Sequence, residues 1–229
     1  MDFVEGEIFG IDKPYGKTSF QALARMRWLI SQKLGGRRIK VGHAGTLDPL
    51  ATGVLVLCTG KATKRIEELQ AGKKEYEATV KFGATTPSYD MEHPEDATYP
   101  TAHITREKIE EALGKFVGDI RQVPPSFSAC KVDGKRAYHL SRKGQEVELR
   151  AKTVRIDSIE LLGFDPISME ADIRVACGKG TYIRALARDL GRELGSGAYL
   201  TALRRTKVGA ISIGQCVRME DAEQFVMQA

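Results

Sequence analysis

One carboxylate in this chain stands in a setting that asks for an explanation. Asp48 lies in the segment VGHAGTLDPLATGVLVLCTG, between Leu47 and Pro49-Leu50 and five residues after His43. The run Val54-Leu55-Val56-Leu57-Cys58 behind it has the length and β-branched content of a strand buried on both faces. Ahead of that run, glycines admit backbone conformations closed to other residues, and Pro49 fixes one φ angle. The spacing therefore predicts an irregular loop leading into a core strand. An acid in apolar surroundings is costly unless it is paired or hydrogen-bonded. Asp before Pro commonly just starts a turn. The sharper reading is a catalytic carboxylate on a rigid loop at the mouth of a sheet.

The flanking elements must position that loop. Val4 to Ile11 reads as a short strand ending in the turn Asp12-Lys13-Pro14-Tyr15-Gly16. Thr18 or Ser19 can cap a helix running to about Leu34, with Leu23, Met26, Leu29 and Ile30 inward and Gly35-Gly36 as its stop. Arg37, Arg38 and Lys40 then lead into the loop. Lys61 to Gln70 reads as a short helix whose early Lys61, Lys64 and Arg65 oppose the helix dipole and suit a phosphate. Lys73 to Phe82 alternates as a half-buried strand with Tyr76, Ala78, Val80 and Phe82 on one face. Gly83 to Thr101 reads as a long, mobile polar loop. Thr105 caps a helix that Gly118 stops.

The stretch from about 124 to 152 is dense in lysine and arginine, with Tyr138 and His139 interleaved, and reads as an RNA-facing insertion or a solvated helix. Strands follow at Val154–Leu162 and Ala171–Cys177. A helix from about Tyr182 to Leu194 has Ile183, Leu186, Ala187 and Leu190 inward and Arg184 off that face. Strand signals return at Tyr199–Arg205 and Val208–Ile213, and Met219–Met227 reads as a last short helix. Strands and helices mix without βαβ alternation, so the fold class expected is α+β around a mixed sheet.

Composition narrows the partners. The 229 residues are 42% hydrophobic and 28% charged, enough for a sizeable core. A formal net charge of +5 permits a polyanionic partner without requiring one. Cys58, Cys130, Cys177 and Cys216 form no CxxC pair, and no run approaches a membrane span. The N-terminus lacks the pattern of a signal peptide, so a reducing cytoplasmic setting is expected. Neither a phosphate-binding P-loop, a dinucleotide fingerprint nor clustered His/Cys ligands is visible, so no cofactor and no metal are expected.

Five blocks, GHAGTLDPLATGVLVLCTGKATK, KEYEATVKFG, SACKVDGKRAYHLSRKG, CGKGTYIRALARDLG and YLTALRRTKVG, occur in one order. Together they resemble the TruB family of tRNA pseudouridine-55 synthases across most of residues 6 to 213. The resemblance implies the pseudouridine synthase fold, a mixed, largely antiparallel sheet flanked by helices, and conversion of a uridine of the TΨC loop of tRNA. It implies that Asp48 is the catalytic carboxylate and that His43 fills the space a flipped uridine leaves in the RNA stack. Tyr76 would stack on the target base, Tyr182 would contact it, Leu203 would line its pocket, and Arg184 would form a salt bridge with Asp48. The turn Lys13-Pro14-Tyr15-Gly16 matches a further family motif near the cleft.

The chemistry fits those residue types. The isomerisation breaks the N1–C1′ bond, turns the uracil and joins C5 to C1′, with no redox step or group donor. It needs an ionised carboxylate near C1′, an Arg that keeps it ionised, an apolar slot and a ring that holds the base. The target must also be flipped from its stack. The basic residues at 37–40, 61–65 and 131–152 would hold phosphates. His93, His103 and His139 are assigned no role.

The expectation is a single catalytic domain over 1–229 with the insertion at about 124–152. Many family members add a C-terminal PUA domain; about sixteen residues follow Ile213, too few for one. The T-arm of tRNA is the expected partner, with no membrane, no obligate protein partner and a monomeric state. Two competing readings are a pseudouridine synthase with another RNA target and an RNA-binding or tRNA-folding protein. An aspartate-nucleophile hydrolase is disfavoured, since no second carboxylate or metal set accompanies Asp48.

Overall fold

The computed structural model describes residues 1–128 and 149–229 and, between them, the backbone of two short strands. In chain order the elements are β1 (Ile8–Lys13), α1 (Ser19–Lys33), β2 (Val41–His43), β3 (Thr52–Thr59), a 3-10 turn over Gly60–Arg65, α2 (Ile66–Ala71), β4 (Lys74–Phe82), β5 (Ala84–Thr85), β6 (Ala97–Thr98), α3 (Arg106–Gly114), β7 (Gly118–Gln122), β8 (Lys131–Val132), β9 (Lys135–Arg136), β10 (Lys152–Asp165), β11 (Glu170–Cys177), α4 (Ile183–Glu193), β12 (Ala198–Val208), β13 (Ile211–Ser212), β14 (Val217–Arg218) and α5 (Ala222–Gln228). The chain divides into unit 1, Met1–Tyr76 with Leu203–Ala229, and unit 2, Glu77–Ala202. No helix among the described residues is long and apolar enough to cross a membrane.

In unit 1 the strand order is β14-β1-β3-β12, with β2 on β3 and β13 on β12. β1 runs antiparallel to β3, from Ile8 opposite Cys58 to Lys13 opposite Gly53. β12 lies parallel to β3, with Arg204 opposite Thr52 and Arg205 opposite Gly53. β3 is buried on both faces as its apolar run predicts: Val54 to Cys58 are wholly inaccessible. α1 starts at the predicted cap. The Thr18 side chain accepts from the Gln21 N–H and the Gln21 side chain accepts from the Thr18 N–H, a complete capping box. Its inner face, Leu23, Met26, Leu29 and Ile30, packs with Phe9, Ile11, Leu55 and Leu57.

Unit 2 has the order β4-β11-β10-β7, antiparallel between β11, β10 and β7. The inward residues of β4 are those that alternation picked out, Tyr76, Ala78, Val80 and Phe82. α3 carries the predicted Thr105 cap and buries Ile109, Ala112 and Leu113. Mixed pairing and unsegregated helices make the architecture α+β, as expected.

The structure departs from the sequence reading in several places. The helix capped by Thr105 ends at Gly114, and Gly118 opens β7 instead of stopping it. Asp12 and Lys13 end β1 and are not part of the turn. Val41–His43 is a strand paired with Leu57–Thr59, so the irregular loop is confined to 44–51; Gly42 fits because a Cβ there would meet Ile66 Cδ1 at 2.5 Å. Lys61 to Gln70 is two pieces, a 3-10 turn and then α2, and the turn holds all three basic residues. Two of them meet carboxylates: Lys61 is 2.7 Å from Glu5 and Arg65 is 2.8 Å from Glu68. β7 was not expected, because GDIRQ has one apolar residue and pairs along one edge only, with β10. The loop 83–101 is held by hydrogen bonds where a mobile stretch was expected. Its Thr86 hydroxyl donates to the Asp90 carbonyl at 2.7 Å, and the Leu200 N–H donates to the Tyr89 carbonyl at 3.1 Å. Short polar side chains satisfy the backbone that sequence alone left open. The insertion's Tyr138, His139, Arg142 and Lys143, and the side chains of Lys131, Lys135 and Arg136, lie outside the described residues.

Candidate active site

The loop 44–51 of unit 1 begins where β2 ends and closes where β3 starts. The Asp48 carbonyl accepts from the Ala51 N–H at 3.1 Å, so Asp48 does start a turn. The turn reading and the catalytic reading therefore describe the same residue. The turn is tied down at several points. Leu47, just before Asp48, exchanges two hydrogen bonds with the Ser19 hydroxyl, 2.8 and 2.9 Å. The Pro49 carbonyl accepts from the Gly16 N–H at 2.9 Å and from the Lys13 ammonium at 3.2 Å.

Two buried cations hold the loop. Lys13 ends β1 opposite Gly53, and Arg205 on β12 is opposite the same glycine. Both are buried, Lys13 completely. The Lys13 ammonium also donates to the carbonyls of Pro14 (2.9 Å) and Lys17 (2.6 Å). Arg205 donates from Nε to the Val54 carbonyl at 2.8 Å and from Nη2 to the Gly45 carbonyl at 3.0 Å. Carbonyl dipoles thus compensate charges that would otherwise be prohibitive to bury. Gly53 is obligatory between them: its φ is +102°, and a Cβ would lie 2.2 Å from the Arg205 carbonyl oxygen. Burial pushes the Lys13 ammonium down to about 8, Asp48 and Asp12 pull it back up, and Arg205 opposes it.

His43, at the end of β2, has its pKa lowered by burial and then by Arg205. Its imidazole is therefore neutral at pH 7. Among the described residues its buried Nδ1 has no hydrogen-bond partner. A neutral ring suits stacking on a base better than pairing with a phosphate. Leu203 is half-buried on β12, one residue before Arg204, which pairs in register with Thr52 at the loop's exit. Arg204 also binds the Asp12 carboxylate, 2.7 Å at Nη2. Tyr76 faces inward on β4. Next to it the Glu75 carboxylate accepts from the Thr206 hydroxyl at 3.1 Å, tying β4 to the strand that carries Leu203. Unit 1 thus holds Asp48, His43, Tyr76 and Leu203.

Tyr182 and Arg184 belong to unit 2, where α4 begins. Tyr182 is its N-cap residue. The Gln122 side chain brackets it: Oε1 accepts from the Tyr182 N–H at 2.9 Å and Nε2 donates to the Tyr182 carbonyl at 3.2 Å. Arg184 is buried although it lies off the apolar face. Its Nη1 donates to the Ser88 carbonyl at 2.8 Å, its Nη2 to the Phe127 carbonyl at 2.7 Å, and its Nε is 3.7 Å from an Asp90 oxygen. Asp90 in turn accepts from the Ser88 hydroxyl at 2.6 Å. One turn on, Arg188 donates to the Val123 carbonyl at 2.9 Å and lies over the Tyr89 ring at 5.5 Å.

Sequence reasoning missed Lys13 as a buried donor, Arg205, Ser19, Gln122 and Asp90. For Lys13 a signal existed, the Lys-Pro turn next to the loop. For Gln122 there was none, since nothing in GDIRQ points at a residue sixty positions on. Of the histidines given no role, His93 is 3.1 Å from the Ser88 hydroxyl and His103 is 2.6 Å from the Leu194 carbonyl.

Comparison with known proteins places the chain in a family. The family model "TruB family pseudouridylate synthase (N terminal domain)" matches residues 29–183, and "tRNA pseudouridylate synthase B C-terminal domain" matches 184–229. A protein of Phocaeicola vulgatus named tRNA pseudouridine synthase B is 60% identical over 228 residues, covering 100% of this chain and 96% of the relative. Its namesake in Bacteroides thetaiotaomicron is 59% identical, covering 99% of this chain and 95% of the relative. Among solved structures, a chain of a Cbf5-Nop10-Gar1 complex matches with a TM-score of 0.70 and 29% identity over 96% of this chain. This chain spans 54% of that one, about half its length. The pseudouridine synthase fold is therefore the fold of this protein, and the chain belongs to the TruB family of pseudouridylate synthases.

Proposed function

We propose that this protein isomerises uridine-55 to pseudouridine in the TΨC loop of tRNA. The observation that carries this is the near end-to-end match to a protein named tRNA pseudouridine synthase B. The chemistry of the chain is consistent with it. Asp48 stands on a turn fixed by Ser19, Lys13 and Arg205, the rigidity a carboxylate needs to meet C1′ repeatedly in one geometry.

In this reading Asp48 attacks C1′ or stabilises positive character there while the N1–C1′ bond breaks. The freed uracil turns and C5 bonds to C1′; a proton leaves C5 and N1 carries one in the product. Arg184, paired with Asp48, keeps the carboxylate ionised. Tyr76 holds the base, Leu203 lines its slot and Tyr182 touches it. His43, neutral at pH 7, fills the gap in the RNA stack. The protein works as a monomer on the T-arm in the cytoplasm, without a cofactor or obligate protein partner.

Mapping pseudouridine in tRNA from cells with and without this protein tests the proposal. Loss of the modification at position 55 alone is the expected result. Unchanged modification there, or loss at a different RNA position, overturns it. A purified protein that binds a T-arm transcript without converting it would favour the tRNA-folding alternative.

A further inference from the structure

Between Lys13 and Leu47 the sequence contains no aspartate or glutamate. In that stretch Lys17, Arg25, Arg27, Arg37, Arg38 and Lys40 are all exposed. α1 runs through it with one buried face and one open face. The open face carries Phe20, 64% exposed, and Trp28, 51% exposed. Eight residues separate them, about 12 Å along the helix. Each ring has a guanidinium beside it: Arg27 is 6.0 Å from the Phe20 ring centre and Arg25 is 4.9 Å from that of Trp28. Tyr15, 61% exposed, lies just before the helix. A single exposed aromatic needs no explanation. Two on one open helix face, each stacked by an arginine within an acid-free run, do.

We infer that the outer face of α1 is a stacking platform for an unpaired stretch of the RNA substrate, with bases on Phe20 and Trp28 and phosphates toward Arg27 and the cluster at Arg37 to Lys40. The inference rests on the RNA-modifying function proposed above. Unpaired RNA is recognised by stacking on aromatic rings and arginine planes, and basic side chains track its backbone. A second copy of this chain is the poorer occupant, because the face offers its guanidinium groups no carboxylate from an equally acid-free partner. Arg25 does meet an acid, Glu223 at 3.8 Å, but both are largely exposed, so that pair is weak. The platform also adjoins the proposed site within one unit. Ser19, the residue before Phe20, is bonded to Leu47, the residue before Asp48.

Trp28 is the only tryptophan of the chain, so its fluorescence reports on this face without a label. Full-length protein is titrated with substrate tRNA, following tryptophan emission and, separately, retention of labelled tRNA on a filter. Emission should change over the range in which tRNA binds. Phe20→Ala should weaken binding by about tenfold, the usual size of one lost base stack. Arg27→Gln should flatten the dependence of log Kd on log salt by about one unit of slope. Emission that stays constant while tRNA binds, with Phe20→Ala binding normally, overturns the platform. Emission that varies with protein concentration in the absence of RNA overturns it in favour of self-association. The two proposals fail separately. Normal pseudouridine formation without an emission change removes the platform alone. An emission change in a protein that never converts uridine removes the enzyme reading alone.

Discussion

The hydroxyl of Ser19 and the backbone of Leu47 exchange two hydrogen bonds, Leu47 N–H to Oγ at 2.8 Å and Oγ–H to the Leu47 carbonyl at 2.9 Å. The start of α1 is thereby fastened to the residue preceding Asp48. Ser19→Ala leaves a buried donor and a buried acceptor without partners, a loss of about 1–3 kcal/mol. Urea unfolding should report that loss. Single-turnover pseudouridine formation should slow as well, because the tether of the proposed carboxylate is gone. A variant as stable and as fast as wild type would show that the contact positions nothing.

Asp48→Asn removes the charge of the proposed catalytic carboxylate but keeps the shape. Pseudouridine formation in a T-arm transcript should be abolished while RNA binding stays within about tenfold of wild type. Arg184→Met tests the proposed partner of Asp48, and it also strips donors from the Ser88 and Phe127 carbonyls. Turnover should collapse in that variant too. Unchanged turnover would remove the ion pair from the mechanism.

Lys13 gives a pH signature. Burial lowers its folded-state value to about 8 from the ordinary 10.5, so between those limits the unfolded chain binds more protons than the folded one. The cost of burying the ammonium is complete below about pH 8 and is relieved as the pH rises to 10.5. Unfolding free energy of wild type relative to Lys13→Met should therefore climb across that window and be flat on either side. A flat difference throughout would mean that Lys13 titrates normally.

His43 is expected to titrate below the ordinary histidine value of 6.5, from burial and the nearby Arg205. Its proton-dependent contribution to stability is complete above pH 6.5 and declines as the pH falls through that value toward the lowered one. Ring-proton NMR, compared with His43→Gln for assignment, should place its midpoint below those of exposed histidines. A midpoint at or above 6.5 would contradict a neutral, stacking imidazole.

Gln122→Ala removes both bonds to the Tyr182 backbone and should lower unfolding free energy by about 1–3 kcal/mol. Tyr182 opens the helix that carries Arg184, so turnover should fall further than tRNA affinity. Equal losses in kcat and in affinity would assign Gln122 to folding alone.

Much of the site was legible in the chain itself. A short run of apolar, β-branched residues suits a core strand, the glycines and Pro49 around Asp48 suit a loop, and Thr18 or Ser19 marks a helix start. These are local rules, each acting over a few residues, and β3, α1 and the position of Asp48 obey them. The five blocks that carry the family resemblance are equally local strings. What holds the loop is not local. Arg205 reaches carbonyls 151 and 160 positions earlier, and Lys13 reaches one 36 positions later. On the page both are surface cations, as lysine and arginine usually are. Only the register of β1 and β12 on β3 places them opposite Gly53 and turns them inward, onto carbonyls that compensate their charge. The sequence therefore determined which loop bears the carboxylate. The strand pairing decided what keeps it still, because compensation of a buried charge depends on groups that meet only when the sheet has formed.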